Sequence, residues 1–217
     1  MIEAVLWDLD GVLVDTARFH YQAWRQLLKE LGRSISEEEF LRTFGLRNDL
    51  ILRDMLGEVA AEEVRRLSEH KEALFRRHAA GRVTALPGAI DLVRRARDGG
   101  RRTALVTSTP RVNVDFVLEQ VGLNGAFDTI VGAEDVSSGK PDPEGFLLAA
   151  RRLGVAPDCC LVIEDAPGGI EAACCAGMHS LAVTTTHPRE DLAAADAVVD
   201  SLNDAAALAA LEGRPSG

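Results

Sequence analysis

Short apolar runs alternate with helical segments along the second part of the chain, and this alternation constrains the fold more than any other feature. From Pro87-Gly88 onward the sequence predicts strands at 102–107, 129–131, 160–163, 179–183 and 197–199, with helices between them. The strands are almost continuously apolar, which is typical of parallel strands buried on both faces. The pattern therefore predicts an α/β fold with a doubly wound parallel sheet.

A helical block interrupts this alternation after the first strand. Residues 3–7 form a short apolar run that ends in DLDG, whereas residues 16–80 have helical periodicity throughout. Four helices are predicted in the block, and Ser36 with Glu39 forms a capping box that opens one of them. We therefore expect an α/β core formed by residues 1–15 and 81–217, with a helical insert at 16–80.

The composition excludes several classes of protein. Lys and Arg number 24 against 34 Asp and Glu, a net charge of −10, and we find no basic patch for nucleic acid. No apolar run is long enough to span a membrane, and the first residues do not resemble a signal peptide. The cysteines form two adjacent pairs without metal-ligand spacing, which favours apolar filler in a reducing compartment. We expect a cytoplasmic location, infer no protein partner, and expect the tail after Leu211 to fray.

Chemically useful residues follow several of the predicted strands. Ligands of open α/β sheets bind at the carboxyl ends of the strands. The residues at these ends are Asp8, Asp10, Thr107, Ser108, Glu164 and Asp165. Lys140 lies in the loop before a predicted helix, in the sequence GKPDP. We expect all of these side chains to converge on one edge of the sheet.

The converging residues predict phosphoryl chemistry. Four carboxylates at one edge repel one another unless a cation balances them, and carboxylate oxygens are ligands that suit Mg²⁺. Mg²⁺ in turn favours phosphate oxygens, while Lys140 and the Thr107 hydroxyl offer further donors for a phosphoryl group. Asp8 and Asp10 are two residues apart, so one can attack phosphorus while the other moves protons.

Together these motifs resemble those of the haloacid dehalogenase superfamily of phosphotransferases, in order and over nearly the whole chain. The resemblance implies a Rossmann-like core with a four-helix cap inserted after the first strand. It implies that Asp8 is the nucleophile, Asp10 the general acid and base, and Thr107, beside Ser108, the holder of the phosphoryl oxygens. It further implies that Lys140 bridges Asp8 and the phosphate. The implied Mg²⁺ ligands are Asp8, Glu164, Asp165 and the backbone carbonyl of Asp10.

The predicted cap resembles the β-phosphoglucomutase-like branch of this superfamily. In that branch a histidine at the position of His20 lies near the hinge and couples acid–base chemistry to substrate entry. Trp24 is assigned to the substrate side, with a place in the core of the cap as the alternative. Arg47 is a candidate to grip a substrate phosphate or carboxylate. Phe44, however, replaces a lysine that the mutase has before its glycine.

The sequence favours a Mg²⁺-dependent phosphatase of small phosphorylated metabolites such as sugar phosphates. A phosphomutase is the alternative, but a mutase needs a second phosphate site. The loop Ser108-Thr109-Pro110-Arg111 differs there from the serine–lysine–asparagine run of the mutase. A true dehalogenase needs one aspartate nucleophile and no metal. The additional carboxylates of Asp10, Glu164 and Asp165 therefore argue against dehalogenase activity. A phosphate-sensing module without catalysis stays open as a remote alternative.

Overall fold

Six parallel strands form one sheet in the computed structural model, which describes residues 1–212. The order across the sheet is β3-β2-β1-β4-β5-β6, so β1 lies in the middle with β2 and β4 beside it. The strands are β1 Ala4–Trp7, β2 Arg102–Val106, β3 Thr129–Val131, β4 Cys160–Glu164, β5 His179–Val183 and β6 Ala197–Val199. The predicted strands at 129–131, 179–183 and 197–199 are confirmed to the residue.

The sheet is buried on both faces, as its apolar strands predict. Along β1, Val5 and Trp7 pack into one apolar cluster, while Ala4 and Leu6 pack into another on the opposite face. This division follows from the alternation of side chains along a strand. Helices cover both faces, which confirms the doubly wound α/β arrangement.

Four helices follow β1 and occupy the segment 16–80, as predicted for the cap. They are α1 Ala17–Glu30, α2 Glu37–Thr43, α3 Asn48–Leu56 and α4 Ala61–Ala79. The capping box of Ser36 and Glu39 is confirmed at the start of α2. α1 and α4 pack against each other and bury Phe19, Leu27 and Phe75. The division of the chain into two domains at residues 15/16 and 80/81 stays a prediction.

The remaining helices belong to the core, where they precede, connect or follow its strands. They are α5 Ala89–Asp98, α6 Arg111–Val121, α7 Glu144–Leu153, α8 Pro167–Cys175 and α9 Ala205–Leu211. One prediction about them is wrong: Thr109 does not cap α6. Pro110 takes the capping position and the helix begins at Arg111. Thr109 is buried, and its hydroxyl donates instead to a carboxylate at the end of the sheet.

Among residues 1–212, no helix combines the length and apolar character that a membrane span requires. The cytoplasmic location stays a prediction. The predicted fraying after Leu211 concerns a tail of which residues 213–217 lie outside the described residues.

Candidate active site

Asp8 and Lys140 form the centre of the site. Asp8 follows directly after β1 and is buried. Lys140 Nζ donates to Asp8 Oδ1 at 2.5 Å and to the carbonyl oxygen of Val106 at 3.2 Å. Burial raises the pKa of Asp8 to about 7; nearby carboxylates add to the rise, and the Lys140 ammonium opposes it. Burial alone would lower the pKa of Lys140, but Asp8 and Glu164 outweigh it and raise that pKa, so Lys140 stays charged.

Glu164 and Asp165 stand at the end of β4, the strand beside β1. Glu164 Oε1 accepts a hydrogen bond from Lys140 Nζ, and Glu164 Oε2 accepts one from the backbone N–H of Asp165 at 3.0 Å. The Thr186 hydroxyl, from the loop after β5, donates to Asp165 Oδ2. Adjacent parallel strands thus bring three acidic side chains to one edge of the sheet, as the sequence predicts.

Two glycines leave room for these carboxylates. Gly11 has a φ of +89°, and a Cβ there would lie 2.0 Å from Asp165 Oδ2. A Cβ at Gly169, in the first turn of α8, would lie 2.0 Å from the carboxyl carbon of Glu164. Both distances are far inside van der Waals contact, so neither position accepts a side chain without displacing the acid. Gly11 also has a backbone conformation that other residues rarely adopt.

The donor set fits a divalent cation. One carboxylate oxygen from each of Asp8, Glu164 and Asp165 lies within 4.8 Å of the others. We call these three residues the core acidic cluster. Lys140 brings a single positive charge to it, which leaves an excess of buried negative charge. Burial, and then the charges of Glu164 and Asp8, raise the pKa of Asp165 well above its ordinary value. These three residues are the ones that would hold Mg²⁺.

Asp10 is close to Asp8 in sequence, yet its carboxylate has different partners. The Thr109 hydroxyl donates to Asp10 Oδ2 at 2.6 Å. Asp10 Oδ1 accepts a hydrogen bond from the Thr16 hydroxyl and lies 3.3 Å from Nε2 of His20. Burial would raise its pKa, but His20 and the hydroxyl donors outweigh burial and lower it to about 2. The carboxylate of Asp10 is not part of the core acidic cluster. The predicted role of its backbone carbonyl in metal binding stays a prediction.

Two cap helices bring a histidine and a lysine to Asp10. Lys71 Nζ on α4 lies 2.8 Å from His20 Nδ1 on α1. An ammonium group only donates, so Nδ1 accepts and Nε2 carries the proton that points to Asp10. His20 stacks on Phe75 with ring centres 4.1 Å apart, and Lys71 Nζ lies 5.4 Å from the ring centre of Trp24. His20 thus contacts the carboxylate of Asp10, whereas its predicted role in coupling acid–base chemistry to substrate entry stays a prediction.

Lys71 is also paired with its neighbour Glu72, and both side chains are buried. Lys71 Nζ donates to Glu72 Oε1 at 2.8 Å. The amide of Asn48 donates to the same oxygen at 2.6 Å, and the amide of Asn113 donates to Glu72 Oε2. We call Lys71 and Glu72 the cap charge pair.

A single cleft between cap and core brings most of the predicted residues together. Its lining includes Asp8, Asp10, His20, Trp24, Lys71, Glu72, Thr107 and Ser108. Thr107 is buried and its hydroxyl accepts a hydrogen bond from the backbone N–H of Thr109 at 3.1 Å. Trp24 is almost fully buried, so it serves the core of the cap and the wall of the cleft together.

Arg47 does not join this group. Its Nη1 donates to the carbonyl oxygens of Val136 and Ser137 at 3.1 and 3.2 Å, and its Nε donates to Asp49 at 3.0 Å. The side chain packs against Gly139, where a Cβ would lie 2.5 Å from Arg47 Cδ. Arg47 therefore links the cap to the loop that carries Lys140, through donors on Nε and Nη1.

Sequence reasoning missed five residues of the site. They are Thr16, Thr109, Thr186, Lys71 and Glu72. Thr109 and Thr186 follow strands β2 and β5, so the rule that located Thr107 also pointed to them. Lys71 and Glu72 lie in the middle of a charged helix, and the sequence alone does not distinguish them from exposed neighbours.

Comparison with known proteins shows the family and supports the fold. The sequence profile of the haloacid dehalogenase-like hydrolases matches residues 2–177. The chain belongs to this hydrolase family. A relative named validoxylamine A 7′-phosphate phosphatase, from Streptomyces hygroscopicus subsp. limoneus, is 33% identical over 205 residues, covering 94% of this chain and 96% of the relative.

Phosphatases and mutases both occur among the relatives of this haloacid dehalogenase-like hydrolase. Hexitol phosphatase A from Escherichia coli (strain K12) is 35% identical over 202 residues, covering 91% of this chain and 90% of the relative. The crystal structure of a β-phosphoglucomutase from Clostridium difficile superposes with a TM-score of 0.88 and 32% identity, covering 98% of both chains. The family is therefore shown, whereas the choice between phosphatase and phosphomutase activity depends on which side chains line the cleft.

Proposed function

We propose that this chain is a Mg²⁺-dependent phosphatase of small phosphorylated metabolites, chiefly sugar phosphates, that acts through an aspartyl phosphate on Asp8. The observation that carries the proposal is the position of Asp8. Its carboxylate is buried at the end of β1, in contact with Lys140 and within reach of Asp165, and it lines the cleft beside Thr107. A carboxylate held in this way can attack phosphorus while cationic groups balance the charge of the phosphate.

In the first step an oxygen of Asp8 forms a bond to phosphorus, and the bond between phosphorus and the ester oxygen breaks. The leaving oxygen takes a proton from Asp10. Asp10 is ionised in the arrangement observed. An incoming phosphate brings negative charge beside it and raises its pKa, so proton uptake by Asp10 accompanies substrate binding.

In the second step water attacks the phosphorus of the aspartyl phosphate. Asp10 accepts a proton from this water, the bond between phosphorus and Asp8 breaks, and inorganic phosphate leaves. Hydrogen bonds from Thr16, Thr109 and His20 orient the Asp10 carboxylate for both proton transfers. Thr107, beside Ser108, offers a hydroxyl to the phosphoryl oxygens.

Asp8, Glu164 and Asp165 would hold Mg²⁺, which would supply charge neutralisation to the phosphoryl group. Lys140 contributes a further positive charge beside Asp8 and Glu164. Its contacts with Asp8 and Glu164 hold both carboxylates in place, and its charge opposes the rise in the pKa of Asp8.

Phosphatase activity is favoured over phosphomutase activity because the basic side chains that could bind a second phosphate already have partners within the protein. Arg47 donates to backbone carbonyls of the core, and Lys71 is paired with Glu72. Arg111 forms an exposed ion pair with Asp115 at 2.8 Å. A mutase must hold a bisphosphate and let it reorient, which requires free positive charge at the far end of the cleft.

Phosphorus NMR with Mg²⁺ and β-glucose 1-phosphate, plus a trace of glucose 1,6-bisphosphate, tests the proposal beside a panel of other sugar phosphates. We expect the inorganic phosphate signal to grow, fastest for the preferred substrate class. Conversion to glucose 6-phosphate without free phosphate would make the protein a mutase. Lack of a complex with beryllium fluoride and Mg²⁺, which mimics the aspartyl phosphate, would overturn the role of Asp8.

A further inference from the structure

The far side of the cleft contains a buried carboxylate that the proposed reaction does not use. Glu72 is 4% exposed and lines the cleft, and it lies three contacts beyond Asp10, through His20 and Lys71. Its distance from the core acidic cluster along this chain of contacts places it where the part of a substrate remote from the phosphate is held.

Glu72 is ionised and firmly held. Burial alone would raise its pKa, but the charge of Lys71 and the hydrogen bonds to Glu72 outweigh burial and lower the pKa below its ordinary value. Oε1 accepts from Lys71 and Asn48, and Oε2 accepts from Asn113. Asn113 is itself fixed, because Arg76 Nη1 donates to its side-chain oxygen at 2.5 Å.

The charges of Lys71 and Glu72, on the far side of the cleft, balance each other. Among the described residues, Lys71 is the only lysine or arginine that lines this cleft, and Glu72 balances its charge. A second phosphate that approached Lys71 would also approach Glu72, and like charges placed together in a desolvated site are costly. A hydroxyl group has no such penalty, and it can donate to Glu72 Oε2, which has capacity for a further hydrogen bond.

We propose that Glu72 is a specificity-determining residue, which makes the cleft selective for phosphate monoesters whose remote end is uncharged and bears hydroxyl groups. It does so by neutralising Lys71 and by presenting a carboxylate to a second phosphate. The substrate class is therefore sugar or polyol monophosphates, and bisphosphates are excluded. This inference rests on the proposed phosphatase activity and assigns its substrate class.

The test is the ratio of kcat/KM for a monophosphate to that for the matching bisphosphate, with fructose 6-phosphate and fructose 1,6-bisphosphate as one pair and glucose 1-phosphate and glucose 1,6-bisphosphate as another. We expect wild type to prefer the monophosphate. Glu72→Gln keeps the shape but removes the charge, and we expect it to shift the ratio toward the bisphosphate by about tenfold. A ratio is independent of the fraction of folded enzyme and of a general loss of kcat.

Two variants serve as controls. Glu69→Gln removes one negative charge from an exposed position on the same helix and is expected to leave the ratio unchanged. Glu72→Asp keeps the charge and is expected to keep the preference for the monophosphate, even where both rates fall. This pair separates the local charge of Glu72 from net charge and from packing.

A further variant covers a failure of Glu72→Gln to fold. Asn48→Lys, at a half-buried position beside Glu72, adds a positive charge and is expected to move the ratio in the same direction. A ratio that stays within twofold of wild type in Glu72→Gln, or in Asn48→Lys if the first does not fold, would overturn the inference. So would a wild type that hydrolyses both members of a pair equally well. If wild type hydrolyses no monophosphate of the panel, the proposed function itself fails.

Discussion

Two groups of buried charged residues meet at the cleft, and their charges are balanced in opposite ways. The core acidic cluster of Asp8, Glu164 and Asp165 has Lys140 as its cation and keeps an excess of negative charge. The cap charge pair of Lys71 and Glu72 is neutral as a unit, and the side-chain amides of Asn48 and Asn113 also donate to Glu72.

The difference indicates which chemical groups each region accepts from outside. Buried carboxylates with raised pKa values are stabilised by an external cation, so the core is suited to a metal ion and, through it, to a phosphoryl group. A pair that is neutral as a unit gains little from an added ion. The cap therefore suits the uncharged part of a substrate, and the following experiments test this contrast.

The largest effect is expected from Asp8→Asn. This variant removes the nucleophile but keeps its shape, so turnover should fall by at least about a thousandfold while the protein still folds. Phosphate release with Mg²⁺, together with circular dichroism, is the measurement. Asp15→Asn, at an exposed position in the same segment, is the matched control and should retain activity. Retention of a tenth of wild-type activity in Asp8→Asn would contradict the mechanism.

The second effect is on metal dependence. Removal of Mg²⁺ by a chelator should abolish activity, and Asp165→Asn should raise the Mg²⁺ concentration needed for half-maximal activity at least about tenfold. Glu72→Gln should leave this concentration unchanged, because the cap charge pair is not in contact with the core acidic cluster. Equal Mg²⁺ requirements in wild type and Asp165→Asn would show that Asp165 does not hold the metal.

The third effect is on stability, and its sign should differ between the two regions. In metal-free protein, Asp165→Asn removes one of three crowded, buried carboxylates, so the free energy of unfolding should rise by about 1–3 kcal/mol. Glu72→Gln leaves Lys71 without its partner and should lower the free energy of unfolding by about 2–4 kcal/mol. Urea unfolding of both variants beside wild type measures the two changes. Changes of the same sign would refute the contrast.

The pH dependence of Glu72→Gln has a definite direction. Because folding lowers the pKa of Glu72 from its ordinary value of 4.5, its ionised form stabilises the fold above pH 4.5. That contribution is lost as the pH falls through the lowered pKa. The gap in stability between wild type and Glu72→Gln should therefore be full at pH 7 and narrow below pH 4.5. A gap that widens toward acid pH would contradict the pairing of Glu72 with Lys71.

The smallest effect is expected where cap and core are linked. Arg47→Ala removes hydrogen bonds to the loop that carries Lys140, and we expect kcat/KM to fall about fivefold, since a single hydrogen bond contributes about 1 kcal/mol. Arg53→Ala, at an exposed position on α3, is the control. A loss specific to bisphosphates would instead restore Arg47 as a contact for a second phosphate.

The fold and the centre of the site could be predicted because both follow from local signals. Apolar runs give the strands, and parallel strands share one carboxyl edge, so Asp8, Thr107 and Glu164 had to approach one another. Thr109 shows the limit of such signals. A threonine before a proline is typical of a helix start, but burial beside Asp10 gave its hydroxyl a stronger acceptor.

Arg47 shows a second limit. The sequence identified an arginine near the cleft as a candidate phosphate contact. The packing of α3 against the loop at 136–139 turned the side chain to the carbonyls of that loop instead. Long side chains reach several partners from one backbone position, so their contacts depend on what lies nearby.

The parallel sheet, the helical insert and the acidic edge follow from the order of residues along the chain, because they depend on periodicity and on what stands at the end of each strand. Which charges neutralise one another depends on the packing of the helices. Lys71 and Glu72 are two of many charged residues on α4, and they are the two that are buried and line the cleft. Charge balance depends on distance and burial, which exist only once the helices have packed.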